Sequence, residues 1–344
     1  MRAPRLPSVL ALAVVVVLGT AGVALVLRSD DGAGVPSTAS TTTTTTAAPV
    51  TTAQPAPTTT TVPLPAWPDL PDDGVARAVI TPTGVVAAVL GTNADGTHLV
   101  RTPCGGEATT AGRAISGAHV VLDPGHGGDE PGAVGPSGLR EKDVNLAVAL
   151  EAQRQLQALG ARVVLTRTGD QRITLASRAA IATSLRAGVL ISIHHNADPD
   201  GPHDGPGSET YFQIASPASK RAAGLVYEEL LSAFERYDID WVGDTDAGAK
   251  YRPRDGGGDY YGILSRSAGV PAVLSEAAFL SNAPEEALLA DPAFQAAEAG
   301  AITRAVVRFL TTTEPGSGYV EPYPRTVPAG PGGGSQGCVD PPLG

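Results

Sequence analysis

Two histidines and two glutamates are the residues of this chain whose types could together perform hydrolytic chemistry. His126 lies in the segment DPGHGG, His194 in SIHHN and Glu276 in LSE, while Glu141 precedes an amphipathic stretch. Two neutral imidazoles and one carboxylate, with a fourth position left to water, form the ligand set of a catalytic zinc site. The remaining carboxylate could then serve as a general base.

Each of these residues also has a purely structural explanation. The spacings of 15, 53 and 82 residues between the four positions form no local motif such as HExxH, so only the fold can bring them together. Glu141 could complement a helix dipole, His194 could be a satisfied core histidine, and Glu276 could face water at a strand end. The DPGHGG turn lacks the GxGxxG spacing and the lysine of phosphate loops, which excludes most nucleotide-binding sites.

The residues that follow His194 leave two questions open. Adjacent strand residues point to opposite faces, so His194 and His195 cannot easily bind one ion, and the pattern does not choose between them. The amide of Asn196 could orient a ligand or a substrate, but an asparagine near a strand end is as often a turn former.

The elements that must position these residues alternate between strands and helices. Apolar runs predict strands at 120–123, 161–166, 189–194, 208–213 and 271–276, and helical spacing predicts helices at 143–159, 174–187, 216–234 and 292–310. This alternation predicts an α/β fold, with a mostly parallel twisted sheet and helices on both faces. Ligands of such sheets collect at the carboxyl ends of the strands, where His126, His194 and Glu276 are expected.

A smaller unit precedes this pattern. Short strands are predicted at 76–80, 85–90 and 98–102, so we expect a small β meander within 73–117 that packs on the main domain at 118–313. Cys104 and Cys338 have no CxxC spacing, and a single disulfide is the better interpretation of them. Its loop of 234 residues would contribute at most about 5 kcal/mol in the chain-entropy model.

The N-terminal segment, residues 1–31, predicts a membrane anchor or a secretion signal. Residues 6–27 carry no charge and follow Arg2 and Arg5, and residues 8–27 would form a helix about 30 Å long, enough to cross a hydrocarbon core. We favour the anchor, with cleavage after Ala21 as the alternative. Both place the rest of the chain outside the cytoplasm, where a disulfide persists.

Composition limits the remaining possibilities. Residues 32–68 are uncharged, and 22 of these 37 residues are Ser, Thr or Pro, so 32–72 is expected to be an extended tether. The Pro- and Gly-rich tail at 314–344 is expected to run over the surface. The net charge of −11 disfavours a nucleic-acid partner.

Six segments resemble the zinc-dependent N-acetylmuramoyl-L-alanine amidases of the cell-wall hydrolase type (amidase type 3). They are VVLDPGHGGDEPGA, LREKDVNLAVAL, VVLTRTGD, SIHHNA, GSETYF and VPAVLSEAAFLSN, in the order of the family, and they span residues 118–312. The resemblance implies that His126, Glu141 and His194 hold one Zn²⁺ and that Glu276 is the catalytic acid and base. It also implies a peptidoglycan substrate, cleaved between N-acetylmuramic acid and the L-alanine of the stem peptide.

The chain departs from the family pattern at His195, where the family often carries a small residue. That histidine is either a bystander or a substrate contact. Some relatives carry an occluding regulatory helix before the final strand, but residues 238–261 lack helical periodicity, so we expect an open loop there.

Two other functions remain as alternatives. One is a zinc peptidase on the same scaffold that cuts within the stem, and the other is a non-catalytic cell-wall-binding protein. Whichever function the protein has, we expect it to be a monomer that is anchored in the membrane by residues 8–27 or secreted to the bacterial cell wall.

Overall fold

The structure is a computed structural model that describes residues 64–71, 73–323 and 333–344. The predicted anchor and most of the predicted tether lie outside these ranges. None of the helices within the described ranges combines the length and the apolar character needed to cross a bilayer.

The first part of the described chain forms a five-stranded antiparallel sheet. Its strands are β1 (Ala78–Ile80), β2 (Val86–Thr92), β3 (His98–Arg101), β4 (Glu107–Thr110) and β5 (Arg113–Ile115), in the spatial order β4-β3-β2-β1-β5. The first three strands match the predicted meander. The strands β4 and β5 were not predicted, because the sequences EATT and RAI are short and show no apolar alternation.

The central sheet has six strands and confirms the predicted fold class. These are β6 (Val120–Pro124), β7 (Val163–Leu165), β8 (Val189–Asn196), β10 (Glu209–Phe212), β12 (Gly248–Lys250) and β13 (Ala272–Phe279), while β9 (Gly201–Pro202) pairs only with β11 (Val242–Gly243). The order is β12-β10-β13-β8-β6-β7, and only the pairing of β10 with β13 is antiparallel. An open loop over the whole of 238–261 is therefore wrong, since 248–250 extend the sheet.

Six helices cover the two faces of this sheet. They are α1 (Glu141–Ala158), α2 (Leu175–Ser184), α3 (Pro217–Phe234), α4 (Gly262–Arg266), α5 (Ala283–Leu289) and α6 (Pro292–Thr311). Hydroxyl and carboxylate caps start several of them, as where the side chains of Ser216 and Asp291 accept backbone N–H groups. The predicted start of the first helix was two residues late, because Glu141 is itself its first residue.

The alternation of side chains along β8 decides which residues face the site. Ile191 and Ile193 belong to the core shared with α1, α3 and α6, whereas Leu190 belongs to the core shared with α2, α4 and the N-terminal sheet. Because strand residues alternate between faces, His194 lies on the α2 and α4 side and His195 on the opposite side. The two adjacent histidines therefore have different surroundings.

Candidate metal centre and active site

His126 lies in the loop that directly follows β6. Its backbone is left-handed, with a φ of 58°, which is unfavourable for a residue with a Cβ and persists only where the surroundings enforce it. The glycine before it permits a close approach, since a Cβ on Gly125 would lie 2.2 Å from Cε1 of His194. The DPGHGG turn thus brings the His126 and His194 rings together, with centroids 4.9 Å apart.

Glu141 lies between the two histidines. Its Oε2 is 3.1 Å from Nε2 of His126, and its Oε1 is 2.9 Å from Nδ1 of His194. The backbone N–H of Ala133 also donates to Oε2 at 2.8 Å. Burial alone would raise the pKa of the Glu141 carboxyl, but the two histidine contacts outweigh burial and hold this pKa well below its usual range. Glu141 is therefore an anion at neutral pH.

The His194 ring is set up as a neutral ligand. Burial lowers the pKa of its imidazole, and the contact with Glu141 offsets this only in part. A neutral imidazole offers a nitrogen lone pair to a metal ion, whereas a protonated ring offers none. His194 therefore needs no deprotonation at neutral pH before it can bind a cation.

The donor atoms of His126, Glu141 and His194 have the spacing that a metal ion requires. One donor atom from each residue lies within 4.8 Å of the other two. Tetrahedral zinc, with bonds of about 2.0–2.2 Å, separates its ligand atoms by about 3.3–3.6 Å, slightly more than the contacts of Glu141 with the two imidazoles. The set of two imidazoles and one carboxylate is also that of a catalytic zinc site, so these residues fit the ion.

Glu276 lies next to this cluster on the same face of the sheet. It is paired in register with His194 on one side and with Glu209 on the other. The register of β13 against β8 shifts directly after Glu276, an irregularity that is common beside active sites. The phenol of Tyr261 lies near Glu276. Burial raises the pKa of this phenol, and the negative charge of Glu276 raises it further. Glu276 therefore lies beside the cluster of His126, Glu141 and His194 but is not one of its members.

The paired residues His194, Glu276 and Glu209 form a row across β8, β13 and β10. A buried polar network, which the sequence analysis did not predict, supports this row. Glu209 accepts hydrogen bonds from Nδ2 of Asn196 at 2.7 Å, from the hydroxyl of Tyr211 at 3.0 Å and from the ammonium of Lys250. The same ammonium donates to Asp246 Oδ1 at 2.6 Å. Lys250 therefore balances a group of buried acids, and Asn196 belongs to this network. No local sequence motif predicts this network, because Glu209 and Lys250 are 41 residues apart.

His195 is fully buried on the other face. Its Nδ1 lies 2.8 Å from Oδ1 of Asn145, and its Nε2 lies 3.0 Å from Oε2 of Glu298. Burial lowers the pKa of His195, but the charge of Glu298 outweighs burial and the net pKa is raised. Asn145 in turn donates from Nδ2 to Oε1 of Glu141 at 3.2 Å. His195 thus contacts the cluster through Asn145.

A cavity of about 170 Å³ opens beside the two histidines. Its wall includes His126, His194, Tyr261, Leu175 and Gly333. The cavity is therefore on the α2 and α4 side of the sheet, the same side as Glu276.

An open α/β sheet that carries two histidines and a carboxylate beside a further glutamate is the arrangement expected of a metal-dependent hydrolase. Residues 120–308 match the family described as N-acetylmuramoyl-L-alanine amidase, and the chain belongs to this family. The resemblance drawn from the sequence is thereby confirmed.

Several named proteins are similar to this chain. The germination-specific N-acetylmuramoyl-L-alanine amidase of Bacillus subtilis is 33% identical over 205 residues, which cover 55% of this chain and 78% of that protein. N-acetylmuramoyl-L-alanine amidase AmiC of Neisseria meningitidis is 32% identical over 221 residues, 56% of this chain, and the chain spans about half (52%) of its length. The catalytic domain of the amidase CwlV of Bacillus (Paenibacillus) polymyxa is 35% identical, with 56% and 97% of the two chains covered and a TM-score of 0.47.

Proposed function

We propose that this chain is a zinc-dependent amidase that hydrolyses the amide between N-acetylmuramic acid and the L-alanine of peptidoglycan stem peptides. Membership of the amidase family supports the reaction class. The observation that supports the assignment best is the register of Glu276 beside His194, by which the proposed acid-base group neighbours the three side chains that we propose as metal ligands.

One Zn²⁺ per chain would be held by His126, Glu141 and His194. When bound, the ion supplies a Lewis acid that polarises the scissile carbonyl and lowers the pKa of a water molecule towards about 7. The anionic form of Glu141 and the neutral form of His194 suit these residues to that role.

Glu276 carries the proton transfers. Its carboxylate takes a proton from the attacking water and returns it to the nitrogen of the leaving L-alanine, so that an amine rather than an amide anion departs. Its position in a sheet, between two paired strands, holds the carboxylate in one place during both transfers.

Asn196 and His195 have supporting roles in this proposal. Asn196 is bonded to Glu209, the neighbour of Glu276, and so fixes the row of side chains rather than the substrate directly. His195 orients Asn145, which is bonded to the Glu141 ligand, and contacts of this kind tune the geometry of metal sites.

The proposed organisation has a catalytic domain at 118–313, preceded by the β subdomain at 73–117 and followed by the tail at 314–344. We place the enzyme outside the cytoplasm, either anchored by residues 8–27 or secreted to the cell wall. The disulfide between Cys104 and Cys338, which confirms the predicted pairing, supports an oxidising compartment. We expect the enzyme to act as a monomer.

The test is a digest of purified peptidoglycan followed by mass spectrometry of the products. An amidase releases intact stem peptides with a free L-alanine amino group and leaves unsubstituted glycan. A zinc peptidase would instead release fragments cut within the stem, and a wall-binding protein would release nothing. Protein stripped with a chelator should be inactive and should recover when Zn²⁺ is added. Products cut within the stem would overturn the proposal.

A further inference from the structure

The end of the chain lies against the loop that carries His126. We call residues 333–344 the C-terminal strap and residues 126–130 the His126 loop. The backbone N–H of Gly333 donates to Oε1 of Glu130 at 2.9 Å, and the N–H of Leu175 donates to the carbonyl oxygen of Gly333 at 3.0 Å. Gly333 also lines the cavity beside His126 and His194. The strap is therefore part of the wall of the active site.

Arg172 joins the strap to the same loop. Its Nη1 lies 2.9 Å from Oδ2 of Asp129, and its Nη2 lies 3.1 Å from Oε1 of Glu130. Nη2 also donates to the carbonyl oxygen of Gly334 at 3.0 Å. The side chain of Arg172 is 11% exposed, and its partners Asp129 and Glu130 are 60% and 19% exposed, so the contact with Glu130 is the better shielded from water.

The other end of the strap is fixed to the N-terminal sheet. Cys338 forms the disulfide with Cys104, and Oδ1 of Asp340 accepts the N–H of Cys104 at 2.7 Å. The hydroxyl of Thr83 donates to Pro342, and that of Thr110 donates to Leu343, at 2.6 and 3.0 Å. Both the sheet and the strap lie outside residues 120–308, the part that matches the family.

The His126 loop is a tight turn that depends on contacts from other segments as well as on its own hydrogen bonds. It has left-handed backbone at His126 and a single isolated bridge between Gly127 and Glu130. Two reciprocal backbone hydrogen bonds between Gly127 and Glu130 close this turn, and the left-handed backbone at His126 is further enforced by contacts from outside the loop. Arg178, Lys142 and Asp170 bond to the His126 and Gly128 end of the loop, whereas Arg172 and the strap bond to its Asp129 and Glu130 end.

We propose that the C-terminal strap is a positioning element for the metal site. It holds Glu130, and with it the His126 loop, in the conformation that presents the His126 ring to Glu141 and His194. The disulfide between Cys104 and Cys338 keeps the strap in place. This inference rests on the proposed zinc site, and it predicts that release of the strap speeds the loss of zinc, by about tenfold or more.

The experiment measures the rate at which zinc leaves the loaded full-length protein for an excess of a chromogenic chelator. The double variant Cys104→Ser/Cys338→Ser should release zinc about tenfold faster than the wild type. Val86→Ala is the matched control, because it removes volume from a buried position of the same N-terminal sheet and keeps both cysteines. Its release rate should stay within twofold of the wild type.

Gly333→Ala tests the strap while the disulfide remains, and it decides the matter if the double variant does not fold. A Cβ at Gly333 would lie 2.5 Å from Cγ of Leu175, on a backbone with a φ of 77°, so Gly333 or Leu175 must shift and the end of the strap that bonds to Glu130 is strained. Faster release is expected here as well. Adding Glu130→Ala to the cysteine variant should have little further effect, because both changes break the same connection.

Zinc release within twofold of the wild type in the folded cysteine variant, or in Gly333→Ala, would overturn the inference. Release at the wild-type rate in Glu130→Ala alone would also overturn it, since the strap bonds to the loop through that carboxylate. The proposed function is judged separately, by the products of the wild-type digest. Either proposal can therefore fail while the other stands.

Discussion

Glu276 and His194 lie directly opposite each other on the neighbouring parallel strands β13 and β8. Paired residues of a sheet point to the same face, so the proposed base stands beside a proposed metal ligand. Glu209 continues this row on β10, paired with Glu276 from the other side. The sheet thus brings together groups that are 67 and 82 residues apart in the sequence.

The first prediction concerns the acid-base role of Glu276. The variant Glu276→Gln keeps the size of the side chain but cannot accept a proton, so turnover of muropeptides should fall about 10²- to 10⁴-fold. Its zinc content, measured by atomic emission, should equal that of the wild type, because Glu276 is not among the proposed ligands. Glu235→Gln, at an exposed position after α3, is the control and should be fully active. Unchanged turnover in Glu276→Gln would refute the assigned role.

The second prediction concerns Glu141 as a ligand. Glu141→Gln removes the negative charge between the two histidines. The affinity for zinc should fall by more than about 100-fold, because the loss of a residue that only contacts a metal ligand already costs about 10- to 100-fold. Titration against a competing chelator gives this number. Asp143→Asn, in the same first turn of α1 but 43% exposed, should bind zinc like the wild type. Equal affinities in the two variants would remove Glu141 from the metal site.

The third prediction concerns the buried network around Glu209. Lys250→Met removes the ammonium that balances this carboxylate, and both side chains are fully buried. The free energy of unfolding should fall by about 3–5 kcal/mol in denaturant titrations, because a buried charge loses its counter-charge. Lys220→Met, at an exposed lysine whose ammonium lies over the rings of Phe212 and Tyr319, should cost less than about 1 kcal/mol. Similar losses in both variants would show that the network contributes no more than a surface contact.

The fourth prediction concerns pH and the buried pair of Asp123 and Arg178. Burial would raise the pKa of Asp123, but Arg178 and the hydroxyls of Thr166 and Ser192 outweigh it and lower this pKa. A carboxyl whose pKa is lower in the folded state stabilises the protein above its unfolded pKa of about 3.9, and this stability is lost as the pH falls through the folded value.

Asp123→Asn should therefore lower the free energy of unfolding by about 3–5 kcal/mol at pH 7, where Arg178 stays buried beside a neutral group. The difference from the wild type should shrink below about pH 4. Denaturant titrations at both pH values measure it, with Asp238→Asn as the exposed control. A difference that is independent of pH would mean that the charge of Asp123 is not what stabilises the fold.

Much of this molecule could be predicted from its sequence. The apolar runs of β6, β8 and β13 and the helical spacing of α1 are local signals, and the rule that ligands collect at strand ends places His126, His194 and Glu276 together. The choice of His194 over His195 needed the resemblance to the family. The face of each residue then follows from the packing of Ile191 and Ile193 on α1, α3 and α6.

Other features could not be predicted because they depend on contacts between distant segments. The partner of Glu209 is Lys250, on a strand of three residues in a region without periodicity. The contact between Gly333 and Glu130 joins residues 203 positions apart, and neither has a distinctive local pattern. Pairings of this kind are decided by the three-dimensional fold, so the sequence predicted a surface tail but not a tail that reaches the active site.

The central claim is that His126, Glu141 and His194 bind one zinc ion beside Glu276. Anomalous diffraction at the zinc absorption edge, from crystals of the zinc-loaded protein, tests it most directly. The account predicts a peak about 2.0–2.2 Å from one atom of each of the three residues. A peak instead among Glu209, Asp244 and Asp246, the other group of acids close enough to hold a cation in the described part of the chain, would contradict it.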